Sequence, residues 1–215
     1  MKVSSDKVAA HRTALLETAK RLLNERGFDG AAVAEISRAA GLTQGALYGQ
    51  FKSKNALAAE AIRKSFAEGA AIWDELREKE PDALAAFLDA YLCEEHAKDP
   101  GAGCTLAACV SEIGRQDPAI GAAYAEGFRR LADTVQAALP AEIPAQEARS
   151  RAVTLLAGMV GGLSIARAVE KSDPELSRGV LMAVREELAR LARSPACDAV
   201  LEPELKLEPG LEPKG

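Results

Sequence analysis

Val33-Ala34-Glu35-Ile36-Ser37-Arg38-Ala39-Ala40-Gly41-Leu42-Thr43-Gln44-Gly45-Ala46-Leu47-Tyr48-Gly49-Gln50-Phe51 is the stretch whose reading decides the fold. Val33, Ile36, Ala39 and Ala40 recur at helical spacing and stop at Gly41; Leu47 and Phe51 open a second short pattern. Two short helices joined at a glycine form a helix-turn-helix. Gly41 supplies the positive φ that reverses the chain, and Thr43 is placed to cap the second helix. Leu42, just before that cap, can pack on Leu47 as a hydrophobic staple. Leu47 and Phe51 then point inward. Gln44, Gly45, Tyr48 and Gly49 lie on the opposite face, with Gln50 at its flank. A helix entering the major groove of DNA needs such a face, small enough for close approach and carrying amides for base edges.

Upstream, Leu15, Leu16, Ala19, Leu22 and Leu23 predict a first helix ending at Gly27. Downstream, Ser53 is the N-cap of a long fourth helix carrying Ala58, Ile62, Phe66, Trp73 and Leu76. Glu80-Pro81-Asp82 breaks it and opens a helix over about 82–98. Further helices follow over about 104–115, 118–138, 145–170 and from 174 to near Arg193, punctuated by prolines. The expectation is an all-α chain of about nine helices without a strand: residues 1–53 an N-terminal three-helix helix-turn-helix domain, and 54–194 a C-terminal helical domain for ligand binding and dimerisation. Residues 195–215, with Leu-Glu-Pro three times, are expected to be a disordered tail.

Composition agrees with that division. Of 215 residues, 48% are hydrophobic and only 4% aromatic, so the core is built from Ala, Leu, Val and Ile, which favours helix. Net charge is −5, yet residues 1–55 carry nine Lys/Arg against five Asp/Glu. A basic end on an acidic body suits a DNA-reading head with a regulatory body. No stretch approaches about 18 uninterrupted apolar residues, and the N-terminus runs into a charged amphipathic segment without a signal-peptide core. Cys93, Cys104, Cys109 and Cys197 form no CxxC pair and no metal spacing with His11 or His96. A cytoplasmic protein without membrane, metal or cofactor is expected. Ser/His/Asp sets, phosphate-cradling glycine loops and HExxH motifs are missing from the sequence, so an enzyme is not expected. A helical ligand carrier or enzyme without DNA binding is the competing class, and it leaves the Gln44–Tyr48 face without a purpose.

The run Gly41-Leu42-Thr43-Gln44-Gly45-Ala46-Leu47-Tyr48-Gly49-Gln50-Phe51-Lys52-Ser53-Lys54-Asn55-Ala56-Leu57 resembles the signature of the TetR family of transcriptional regulators. Gly27-Phe28-Asp29-Gly30 and Ile36-Ser37-Arg38-Ala39-Ala40 sit at the family's spacings, so the likeness covers about residues 10–57. The resemblance implies a homodimeric regulator, a repressor by default, that binds a (pseudo)palindromic double-stranded DNA operator and is released by a small-molecule effector. Carried over by position, Thr43 and Tyr48 would contact phosphates, Lys54 would hold the DNA backbone, and Gln44, Gly45 and Gln50 would lie nearest the bases. One departure is Ala32, where the family commonly has a capping Thr or Ser. The plain alternative for Tyr48, Lys52 and Lys54 is an ordinary solvated surface residue.

Within the body, Leu155, Met159, Gly162 and Leu163 on one helix and Val184 and Leu188 on the last are expected at a four-helix dimer interface; an intramolecular seam is the alternative. Two recognition helices must reach major grooves about 34 Å apart, which a dimer allows. Trp73, Phe87, Tyr91, Cys109, Ile113, Tyr124 and Phe128 are the candidate liners of a pocket for a small, mainly apolar effector, with ordinary core as the alternative. Cys104 opens a helix, where the dipole favours a thiolate. Some TetR-like regulators with a Gly-Cys pair near this helix sense electrophiles, so a redox-sensing thiol is the alternative to a small packed residue.

Overall fold

The computed structural model describes residues 5–195, and the 195–215 tail reading, like Cys197, falls outside them beyond Pro195. All regular structure among the described residues is helical: α1 (Ser5–Gly30), α2 (Val33–Ala39), α3 (Gln44–Gln50), α4 (Lys54–Lys79), α5 (Ala83–Tyr91), α6 (Glu94–Lys98), α7 (Thr105–Ile113), α8 (Pro118–Ala138), α9 (Ala145–Val169) and α10 (Pro174–Arg193). The boundaries follow local chemistry. Thr43, Ser53, Asp82, Asp117 and Asp173 each accept a first-turn amide hydrogen with the side chain, each cap stabilising its helix by about 1 kcal/mol. Ala32 caps α2 with its carbonyl alone. Gly27 interrupts α1 at φ 71° and Gly41 turns the chain at φ 70°.

The helix expected over 82–98 is two. Leu92, buried, leaves the helical region, and α6 starts again after Cys93. The Tyr91 carbonyl at the break accepts the Nδ1 hydrogen of His96 (2.8 Å), and His96 Nε2 accepts the Cys104 amide hydrogen (3.1 Å). His96 is therefore a bracket that folds the 99–103 loop back, and the bonds fix its neutral Nδ1–H tautomer. Burial, its largest influence, also lowers its pKa.

Two apolar cores meet along α4. One packs Leu15, Leu22, Ile36, Leu47, Phe51 and Ile62, and draws in Cys109 and Ile120 from the body. The other joins α5 and α7 to α8, α9 and α10 around Leu88, Leu106, Val135 and Leu155. Helix α9 is long and apolar enough, by length and composition, to cross a membrane. It lies against α10, α8, α7 and α6 instead, and its buried Arg151 donates to the carbonyls of Leu191, Ser194 and Pro195 at the end of α10. A cation there complements the α10 dipole and closes orphan carbonyls.

The packing corrects the reading of the dimer residues. Leu155, Met159, Leu163 and Leu188 are buried within a single chain, with Val184 half-buried beside them. A Cβ built on Gly162 would lie 2.9 Å from Val184, and one on Gly158 would lie 2.8 Å from Leu188. The glycines admit α10 of the same chain, so this set is the intramolecular seam. What these helices turn outward is Ile165, Leu176 and Met182, all about half exposed.

Candidate nucleic-acid interface and effector cavity

Helix α3 is anchored from beneath and bare above. Leu47 and Phe51 are fully buried, whereas Gln44, Gly45 and Gly49 are exposed and Tyr48 is 54% exposed. The Thr43 hydroxyl oxygen accepts from the Ala46 amide (3.1 Å), which leaves its own proton for an external acceptor. These five groups share one open surface. Gln50 and Lys54 are occupied elsewhere: the Gln50 side chain donates to the Val8 carbonyl (3.4 Å), and Lys54 Nζ donates to the Phe28 carbonyl. Each thus has one bond inside the chain, where α1 closes over the ends of α3 and α4, and keeps further donors beyond it.

Arg12 is a positioning residue that sequence reasoning missed. Its guanidinium lies 4.4 Å over the Phe51 ring, donates to the Gln50 carbonyl (3.0 Å) and pairs with Glu60. One cation thus ties α1 to the end of α3 and to α4. No local pattern flags it, since its partners are about forty residues away. Further along, Lys20 and Lys64 both pair with Glu68 (2.6 and 2.7 Å), and Lys64 also pairs with Glu17 (2.8 Å). Burial opposes ionisation of Glu68, but the two ammonium groups prevail and lower its pKa.

Below this ladder a cavity of about 250 Å³ opens between α1, α4, α5, α8 and the 102–104 turn. Of the seven expected liners, Phe87 and Tyr91 line it. Trp73 stacks edge-on behind Phe87 (5.3 Å between centroids), and Tyr124 stacks on the lining Phe66 (5.8 Å). Phe128 packs on the body core, and Cys109 and Ile113 belong to the head core. That last pair is a correction: one face of α7 is pressed on α1 rather than on the cavity. Phe66, Ile72, Leu131, Ser65 and His96, none of them expected as liners, also line it, with Cys104 and the paired Lys20 and Glu68 at its rim. The surroundings of Cys104 do not favour the redox alternative. Cys104 is half-buried at the cavity wall, and burial pushes its thiol pKa up despite backbone amides that favour the thiolate, the opposite of the direction a sensor thiol needs.

A positive-φ glycine between two short helices, the second offering an open polar face, defines the helix-turn-helix class. Residues 15–61 match the family described as bacterial regulatory proteins, tetR family, and residues 81–177 match the C-terminal domain of LmrA/YxaF-like transcriptional regulators. The HTH-type transcriptional repressor Rv1474c of Mycobacterium tuberculosis is 41% identical over 56 residues, which span 26% of this chain and 30% of that protein. In fold, a TetR transcriptional regulator from Legionella pneumophila superposes with a TM-score of 0.73 at 18% identity, over 90% of this chain and all of that one. A TetR-family regulator from Agrobacterium tumefaciens does so at 0.71 and 21% identity, over 86% and 99%. The chain belongs to the TetR family of bacterial regulatory proteins, which are not enzymes.

Proposed function

We propose that this chain is a ligand-responsive transcriptional repressor that binds a two-fold symmetric operator as a homodimer and is released by a small, mainly apolar effector. The observation that carries the reading is the exposed Gln44, Gly45, Tyr48 and Gly49 face of α3, set over fully buried Leu47 and Phe51. Thr43 and Tyr48 would hold phosphates while Gln44 and the bare backbone at Gly45 approach the bases. Copies would pair through the outward apolar faces of α9 and α10. The cavity draws its wall from Lys20 on α1 and Glu68 on α4, so a ligand there would favour one arrangement of those two helices. An effector with unequal affinity for two head arrangements shifts their populations.

The test is fluorescence anisotropy with duplexes flanking the chain's own gene, at two salt concentrations, against a shuffled duplex. Saturable, salt-sensitive binding that favours the flanking DNA is expected. Equal binding to shuffled DNA, or none, would leave the helical-carrier class in its place.

A further inference from the structure

The cavity has two unlike ends. Phe66, Ile72, Phe87 and Leu131 make one an apolar wall, so most of any occupant must be hydrocarbon. At the other, the Tyr91 hydroxyl is buried without an oxygen or nitrogen partner, on a residue only 8% exposed. Its contact is with the Cys104 thiol, whose sulfur is a weak acceptor. An unpaired buried hydroxyl costs about 1–3 kcal/mol, a penalty that a suitable ligand atom removes.

The neighbouring groups indicate which kind of atom. His96 Nε2 already accepts from the Cys104 amide, Ser65 Oγ accepts from the Thr105 amide (3.3 Å), and the Tyr91 carbonyl accepts from His96. The Cys104 sulfur faces the amide hydrogens of Leu106 and Ala107. Arg167, behind this end, donates to the His96 carbonyl (2.9 Å) and keeps an unpartnered Nη1. Lys20 and Glu68, which also line the cavity, answer each other (2.6 Å). These acceptors are engaged, and what stays unanswered is donor hydrogen, on the Tyr91 hydroxyl and, behind it, on Arg167 Nη1. Burial also raises the pKa of both Tyr91 and Cys104, the mark of surroundings that penalise negative charge.

We infer that the cavity selects a small, neutral, ring-bearing molecule with one terminal carbonyl-type oxygen, which accepts the Tyr91 hydroxyl hydrogen while its ring lies among Phe66, Phe87 and Leu131. The volume, about eight waters' share of liquid, holds one or two rings. This deepens the effector reading and rests on it for its regulatory meaning alone.

The full chain reports on the site itself, because its one tryptophan, Trp73, stacks on the lining Phe87. Emission excited at the red edge is titrated with three matched probes: 4-phenyl-2-butanone, isopentylbenzene and 3-phenylpropanoate. The wild type should bind the ketone tighter than the hydrocarbon or the carboxylate. Tyr91→Phe should weaken the ketone about five- to tenfold and leave the hydrocarbon unchanged. A ketone that binds no tighter than the hydrocarbon in the wild type, or keeps its affinity in a folded Tyr91→Phe protein, overturns the inference. Tighter carboxylate binding overturns it in favour of an anion. Tyr91-dependent ketone binding that leaves DNA affinity unchanged would instead remove the effector reading and keep the cavity chemistry.

Discussion

The Glu112 carboxylate on α7 accepts the amide hydrogen of Phe28 (2.9 Å), one residue past the left-handed Gly27. A body residue thereby closes the break in the first head helix, and a side chain on Gly27 would collide with that carboxylate. Glu112→Ala leaves a part-buried amide unpaired and should cost about 1–3 kcal/mol in urea unfolding. Glu112→Gln, which keeps an acceptor, should cost less. Gly27→Ala adds positive-φ strain to the collision and should destabilise by more than the roughly 1 kcal/mol typical of such glycines. Equal stability of all three variants would show that the contact is not formed.

On α3 the side chains divide into free and engaged. Tyr48→Ala and Gln44→Ala should each weaken operator binding about fivefold or more without lowering the melting temperature, since neither side chain is buried. Gln50→Ala should weaken it less, because that amide is turned toward Val8. Arg12→Ala should lower both affinity and stability, losing a cation–π contact and the bond to the Gln50 carbonyl. Anisotropy titration beside thermal melts separates the cases, and a larger loss at Gln50 than at Gln44 would reverse the assignment.

These contrasts mark what sequence can carry. Gly41, Thr43 and Ser53 were legible because turns and caps are made by residues within three positions of one another. An apolar stripe reveals that a helix face is buried, but not against what. Cys109 and Ile113 read equally well as cavity wall or head core, and α1 decided it. Gly162 was expected at a dimer interface, but the helix that it and Gly158 admit is α10 of the same chain. The cavity's polar end was least legible, since Lys20, Ser65, Tyr91 and Cys104 come from four separate segments.

Assembly can be tested against that seam. Ile165→Glu, on the outward face of α9, should convert a dimer to monomer in sedimentation while each chain stays helical. Gly162→Leu should instead destabilise the chain itself, because the added side chain meets Val184 of α10. A dimer that survives both Ile165→Glu and Met182→Glu would place the contact elsewhere.

Alkaline stability follows from the buried acids. Burial, aided by the Glu112 charge, pushes the Cys109 thiol from 9.0 up to about 12, and burial raises Cys104, Tyr91 and Tyr124 as well. Above pH 9 the unfolded chain releases the Cys109 proton while the folded chain retains it, so the unfolded state holds fewer protons. Stability therefore falls as pH rises from 9 toward 12, by up to about 1.4 kcal/mol per pH unit for this one group. Urea unfolding at pH 8, 9, 10 and 10.5 should trace the decline. Cys109→Ala, which removes the titrating group at the cost of a small void, should flatten the slope by one proton and leave the remainder to Cys104 and the tyrosines. An identical slope in that variant would mean that the folded thiol ionises as readily as the unfolded one, and that the seal of α7 on α1 around it is open to water.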